Sequence, residues 1–164
     1  MYSRALLTDK LRASHQALKA CLADLSGDES QRIPSAAQAP PIIWHVGHVA
    51  VMNAYIARMA GTAESPVLPT EYAELFKMET GGAADYPPLA AVTRALDKTH
   101  EAVERAVAEA NLDAPFEGPG ERWTTLEGMF VFAHNERWYH IGAITSIRAL
   151  LGKPSLPDIE SIPD

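Results

Sequence analysis

The chain has 164 residues, 47 % of them hydrophobic and 21 % charged, a balance that argues for one globular domain with a sizeable core and against disorder. Its formal net charge of −7 disfavours a sequence-independent nucleic-acid binder or a ligand of anionic membranes, because both need clustered Lys and Arg. The one cysteine, Cys21, rules out an internal disulfide. No apolar run approaches the ~18 residues of a membrane span, and MYSRALLTDK lacks the apolar core of a secretory signal, so the expectation is a cytoplasmic protein.

Strand signals are weak, whereas four long segments carry an apolar period near that of a helix. The first helix is expected from Ser3 to Leu25, with the stripe Leu7, Leu11, Leu18, Cys21 or Leu22, and Leu25 facing a core, and a break at SGDES. Cys21 on that stripe reads as a buried structural thiol. A polar, Pro-containing loop follows to about Pro40. The second helix starts at Pro41 and stops before Gly61. A long connection then runs through TAESPVLPTEYAELFKMETGGAADYPP, with a short helix from about Thr70 to Met78. Long connections of this kind are often functional or cover something.

Pro88 opens the third helix, where Leu89, Val92, Leu96, Val103 and Val107 or Ala106 face inward and Lys98, Glu101, Glu104 and Arg105 face out. The fourth begins at Thr124-Thr125-Leu126-Glu127, which has the form of a capping box, and ends at Gly152 before Pro154. The fold class is therefore all-α, a four-helix bundle spanning 1–164 as one domain, with a long connection between helices 2 and 3. Residues 153–164 form a Pro-rich tail, expected to be extended.

The chemistry lies where the apolar pattern is interrupted. On the fourth helix the stripe Leu126, Met129, Ala133, then Ala143 or Ile144, Ile147 and Leu151, passes through Glu136 and His140. Residues four apart are offset by roughly 40° and about 6 Å along the axis, so this carboxylate and imidazole project side by side. His134 is rotated about 200° from Glu136 and cannot join them. On the second helix His48 shares a face with Trp44, Val51, Tyr55 and Met59, while His45 lies on the flank with Val49, Met52 and Ile56. Gly47, next to His48, is what a close approach by another element requires. A buried, ionised Glu136 needs a partner. It pairs with His140, Arg137 or Arg148, or the helix is turned so that the pair meets solvent, or His48, Glu136 and His140 converge on one divalent cation with open positions for water or substrate.

WHVGHVAVMNAYIARMAG on the second helix and YHIGAITSIRALLGKP on the fourth resemble the DinB superfamily of metal-binding four-helix bundles. The resemblance covers essentially the whole chain. It implies an up-down-down-up bundle, often a homodimer, of bacterial type, in which one His of the second helix and two His four apart on the last hold a divalent ion. Zinc comes first, with nickel, iron or manganese as alternatives. Position by position the ligands fall on His48, on His140 followed by Gly142, and on Glu136, where the family has His. The resemblance also implies thiol-dependent S-transferases and isomerases acting on a small-molecule substrate with mycothiol, bacillithiol or glutathione as cosubstrate. A metal-dependent hydrolase, or a non-enzymatic dimeric bundle with a degenerate site, are the alternatives. Catalytic and cosubstrate-binding residues are not assigned. Trp44, Tyr55, Trp138 and Tyr139 are candidates for the mouth of the bundle, each also readable as packing or interface surface.

Overall fold

The computed structural model describes residues 2–33, 39–61, 68–78, 85–116 and 124–154; the tail expected over 153–164 lies outside them beyond residue 154. Among the described residues there are six helices and no strand: α1 (Arg4–Ala20), α2 (Gly27–Gln31), α3 (Ile42–Met59), α4 (Tyr72–Leu75), α5 (Leu89–Glu109) and α6 (Leu126–Leu150). The four long ones, α1, α3, α5 and α6, make the bundle. No helix of the described residues is long and apolar enough to cross a membrane.

Local chemistry places the helix ends. Ser3 caps α1 by accepting from the Leu6 N–H. Helix α1 ends at Ala20, short of Leu25, and residues to Asp24 continue only as turns. The loop expected before Pro40 holds α2, whose capping box pairs Ser26 with Glu29 in both directions. Pro41 is the residue before α3, with extended backbone. Helix α4 is shorter than the stretch Thr70 to Met78. At the start of α6 the cap is Thr125, which accepts from Gly128 N–H. The box expected at Thr124 does not form, because one residue of register moves Glu127 off the required position and its carboxylate accepts from the Tyr2 N–H instead. Gly61 and Gly152, both at φ 76°, follow the ends of α3 and α6 in the left-handed region that glycine tolerates.

Helix α3 packs on both α5 and α6, and α1 packs on the other side of the same two helices. Two apolar clusters fill the interior. Leu18, Cys21, Ile43, Val46, Val49, Phe76, Val92, Leu96, Ile141 and Ile144 fill one end; Leu7, Leu11, Ile56, Val103, Val107, Met129, Phe130 and Ala133 fill the other. Burial of Cys21 pushes its thiol pKa up, in keeping with a packing role.

Between the clusters each long helix contributes a polar side chain: Ser14 and His15, Asn53, Thr99 and His100, and Arg137, all buried. Arg137 is 1 % exposed and donates to the Leu11 carbonyl (2.8 Å) and Asn53 Oδ1 (3.0 Å). His15 stacks on His100 with ring centres 3.9 Å apart and reaches Asp97 at 3.0 Å. The bundle therefore has a polar waist, and the helix α6 seam crosses it at Arg137.

The connection after α3 returns over its N-terminal half. The Phe76 ring lies so close to Gly47 that a Cβ there would come within 3.0 Å of it. The close approach expected at Gly47 is thus made by this connection, which lays a backbone carbonyl beside His48.

Candidate metal centre

His48 is placed by α3 and by the segment crossing it. Its Nδ1 lies 2.7 Å from the Phe76 carbonyl oxygen. A carbonyl only accepts, so Nδ1 carries the hydrogen and donates it. In the neutral ring Nε2 is then a bare lone pair, and it faces Glu136 Oε1 at 3.7 Å. Trp44, one turn earlier, stacks on the His48 ring with centres 4.9 Å apart at 18° and closes one flank. The Trp44 and His48 side chains are both buried.

Glu136 and His140 come from α6 at the helical spacing that aligns them. His140 Nε2 lies 3.2 Å from the same Glu136 Oε1. The Glu136 side chain is 22 % exposed, against 7 % for His48 and 1 % for His140. The hydrogen bond from His140, the largest influence on this group, outweighs burial and holds the carboxyl well below the ordinary carboxylate range, so it is ionised at neutral pH. Burial lowers His140 below the ordinary imidazole range, against the pull of the carboxylate.

One ligand atom from each of His48, Glu136 and His140 lies within 4.8 Å of the other two. The donor set fits a divalent cation. Two imidazole nitrogens and a carboxylate oxygen are borderline-to-hard donors of the kind used by zinc, iron and nickel sites. The orientation of His48 by a backbone carbonyl is how ligating imidazoles are held ready. A bare Nε2 opposite an ionised carboxylate is a repulsive juxtaposition, which a proton or a cation between them relieves.

Of the alternatives left open by the sequence, the pairing of Glu136 with His140 is observed at 3.2 Å, and the pairings with arginine are not. Arg137 is committed to Leu11 and Asn53, and Arg148 to the Cys21 carbonyl and Asp24. Neither neutralises Glu136, and the Glu136–His140 pair faces the bundle. His134 stands apart, as its helical phase requires, with Nδ1 3.0 Å from the Lys10 carbonyl. His45 is buried behind His140, its Nδ1 2.8 Å from His140 Nδ1. Sequence phase alone could place His45 on a flank but not against a particular neighbour. That contact depends on where α3 and α6 cross.

The four aromatic candidates separate. Trp44 touches His45, His48 and His140. Tyr139, 69 % exposed, meets the His140 ring edge to face with ring centres 5.3 Å apart, at the solvent side of the trio. Tyr55 lines a cavity of about 380 Å³ with Val51, Arg58 and Leu68, one to three turns along α3 from His48. Trp138 packs on His134 instead.

A family model described as DinB superfamily matches residues 10–144. No curated protein and no solved structure matches the chain.

Proposed function

The chain belongs to the DinB superfamily, and from that premise we propose that His48, Glu136 and His140 hold one divalent cation, zinc first, to assist thiol-dependent S-transfer or isomerisation of a small molecule. One observation carries the metal reading: the bare Nε2 of His48 is aimed at an ionised carboxylate that His140 Nε2 also reaches. When bound, a cation supplies positive charge that favours the deprotonated form of a thiol or water at neutral pH.

The chain's own groups set the conditions for that chemistry. Glu136 brings a full negative charge where an imidazole would bring none, which lowers the net charge of the loaded centre. Trp44 and the core behind it exclude water from the inner side. Access is left on the side of Glu136, the most exposed of the three, and of Tyr139. The Phe76 carbonyl keeps the His48 hydrogen on Nδ1 and so preserves its donor atom.

The carboxylate also favours a second reading, metal-dependent hydrolysis, because two histidines and a carboxylate with open positions are a frequent hydrolytic ligand set. Elemental analysis of untagged protein, comparing native chain with His48→Ala and His140→Ala, tests the metal step. Stoichiometric metal lost in both variants supports it, and metal-free native protein after zinc loading sinks it. Turnover screens with mycothiol, bacillithiol and glutathione against a panel of electrophiles, beside ester and amide substrates without thiol, separate transfer from hydrolysis. No turnover with a loaded site would favour a non-enzymatic bundle.

A further inference from the structure

The two histidines of the trio are held differently. The partner of His48 is a carbonyl, which fixes one tautomer. The partner of His140 is another imidazole, His45, through Nδ1 atoms 2.8 Å apart. An imidazole can donate or accept, so this bond can exist in two polarities. We propose that metal capture is accompanied by a tautomer exchange of the His45–His140 pair, with His45 as the positioning residue that frees Nε2 of His140. The inference rests on the metal reading above.

Without a cation, Nε2 of His140 stands 3.2 Å from the ionised Glu136 oxygen. A carboxylate only accepts, so Nε2 carries the hydrogen and donates it. His140 Nδ1 is then bare, and the hydrogen shared with His45 sits on His45 Nδ1. For His140 Nε2 to become a ligand atom it must be bare, as any ligating imidazole nitrogen is. Its hydrogen must then sit on Nδ1, donated to His45 Nδ1, and the hydrogen of His45 must move to Nε2.

The surroundings of His45 pin neither form. Its Nε2 is buried and has no hydrogen-bond partner among the described residues, so nothing at that atom fixes which nitrogen carries the hydrogen. Its Nδ1 is engaged by His140 Nδ1 at 2.8 Å, a partner that can donate or accept. The balance closes without a change of charge: His140 gives its Nε2 proton to solvent, the shared proton passes from His45 Nδ1 to His140 Nδ1, and His45 takes one proton from solvent at Nε2. An acceptor-only group at position 45 would hold His140 permanently in the ligand form. A donor-only group would hold it out. His45 permits both.

Long-range proton–nitrogen NMR of the ¹⁵N-labelled full chain, before and after one equivalent of zinc at fixed neutral pH, reads both tautomers directly. The expected result is His140 Nε2–H with His45 Nδ1–H in the metal-free protein, and both reversed after loading. Zinc uptake with His45 unchanged overturns this inference while leaving the metal site standing. Failure of the native chain to take up zinc overturns both. In chelator competition His45→Leu should lose ~10–100-fold in zinc affinity, the usual cost of removing a ligand's orienting partner. His45→Gln, whose amide can donate or accept, should recover most of it. Native affinity in His45→Leu would also overturn the proposal, and the NMR comparison on native protein stands even where that variant fails to fold.

Discussion

Gly47→Ala is the smallest change that strikes the centre without touching a ligand. The added Cβ would come within 3.0 Å of the Phe76 ring, closer than real carbon contacts allow. Phe76 is fully buried and stacks on Tyr86 with centres 5.8 Å apart, so the ring cannot swing into open space. Overpacking of this kind costs about 1–3 kcal/mol, offset in part by the ~1 kcal/mol that Ala gains over Gly inside a helix. Net destabilisation of about 0–2 kcal/mol follows. The effect on the site should be larger than the effect on the fold. A shift of Phe76 moves the carbonyl that fixes the His48 tautomer at 2.7 Å, and losing that orientation lowers metal affinity by ~10–100-fold. Urea denaturation measures the first effect and chelator competition the second. Gly142→Ala is the control, since a Cβ there meets nothing within 4 Å; it should be neutral to slightly stabilising and bind metal as the native chain does. The reasoning fails if Gly47→Ala keeps native affinity, or if the two variants lose affinity equally.

At the ligands, Glu136→Gln should weaken zinc binding strongly by removing the ligand charge, while Glu136→His, which restores the family's imidazole, should retain it; competition titrations distinguish the two. His134→Ala should leave the metal content unchanged, and equal loss in His134→Ala and Glu136→Gln would mean that the assumed phase of α6 is wrong. Stability should fall as the medium is acidified below the unfolded imidazole range. Burial, then the nearby Arg137, hold His15 down to about 4 and His100 to about 2, below the ordinary 6.5. The folded chain thus binds fewer protons than the unfolded one between those limits. The contribution is whole above 6.5 and declines by up to ~1.4 kcal/mol per pH unit per histidine as pH falls toward the folded values. Denaturation midpoints from neutral pH down to mildly acidic pH check this, and His100→Phe should flatten the slope. A flat profile in the native chain would refute it.

Helices α1 and α5 were legible because each buries one face, which period reveals, whereas α3 is buried on all sides from Ile42 to Ala50 and showed instead as a nearly continuous apolar run. The trio was legible from helical phase: Glu136 and His140 sit on a stripe of buried Met129, Ala133, Ile144 and Ile147, and His48 shares a face with Trp44. What stayed hidden had local or crossing-dependent causes. Helix α2 is too short to show a period, although Ser26 and Glu29 at capping-box spacing were a usable signal. The two adjacent threonines before α6 offer the same cap chemistry one residue apart, and register decided for Thr125. His15 lies four residues beyond Leu11 on the inner stripe of α1, yet its stack on His100 depends on how α1 meets α5. Arg137 and Arg148 are among the largest fully buried side chains, and charge alone argues against that. Their acceptors are mainly carbonyls and polar side chains of other segments, which no single helix displays.

Glu136 and Arg137 are consecutive on α6 and diverge by about 100° around its axis, which makes the pair a keyed joint. The carboxylate meets the histidines while the guanidinium is latched to Leu11 of α1 and Asn53 of α3. Sliding α6 by one residue would carry the cation into the slot meant for the anion and strand both. Turning α6 to widen the centre would first have to release two buried hydrogen bonds on its other flank. The helix is thus indexed to a single angular setting, and the geometry of the centre is guarded by a residue that takes no part in it.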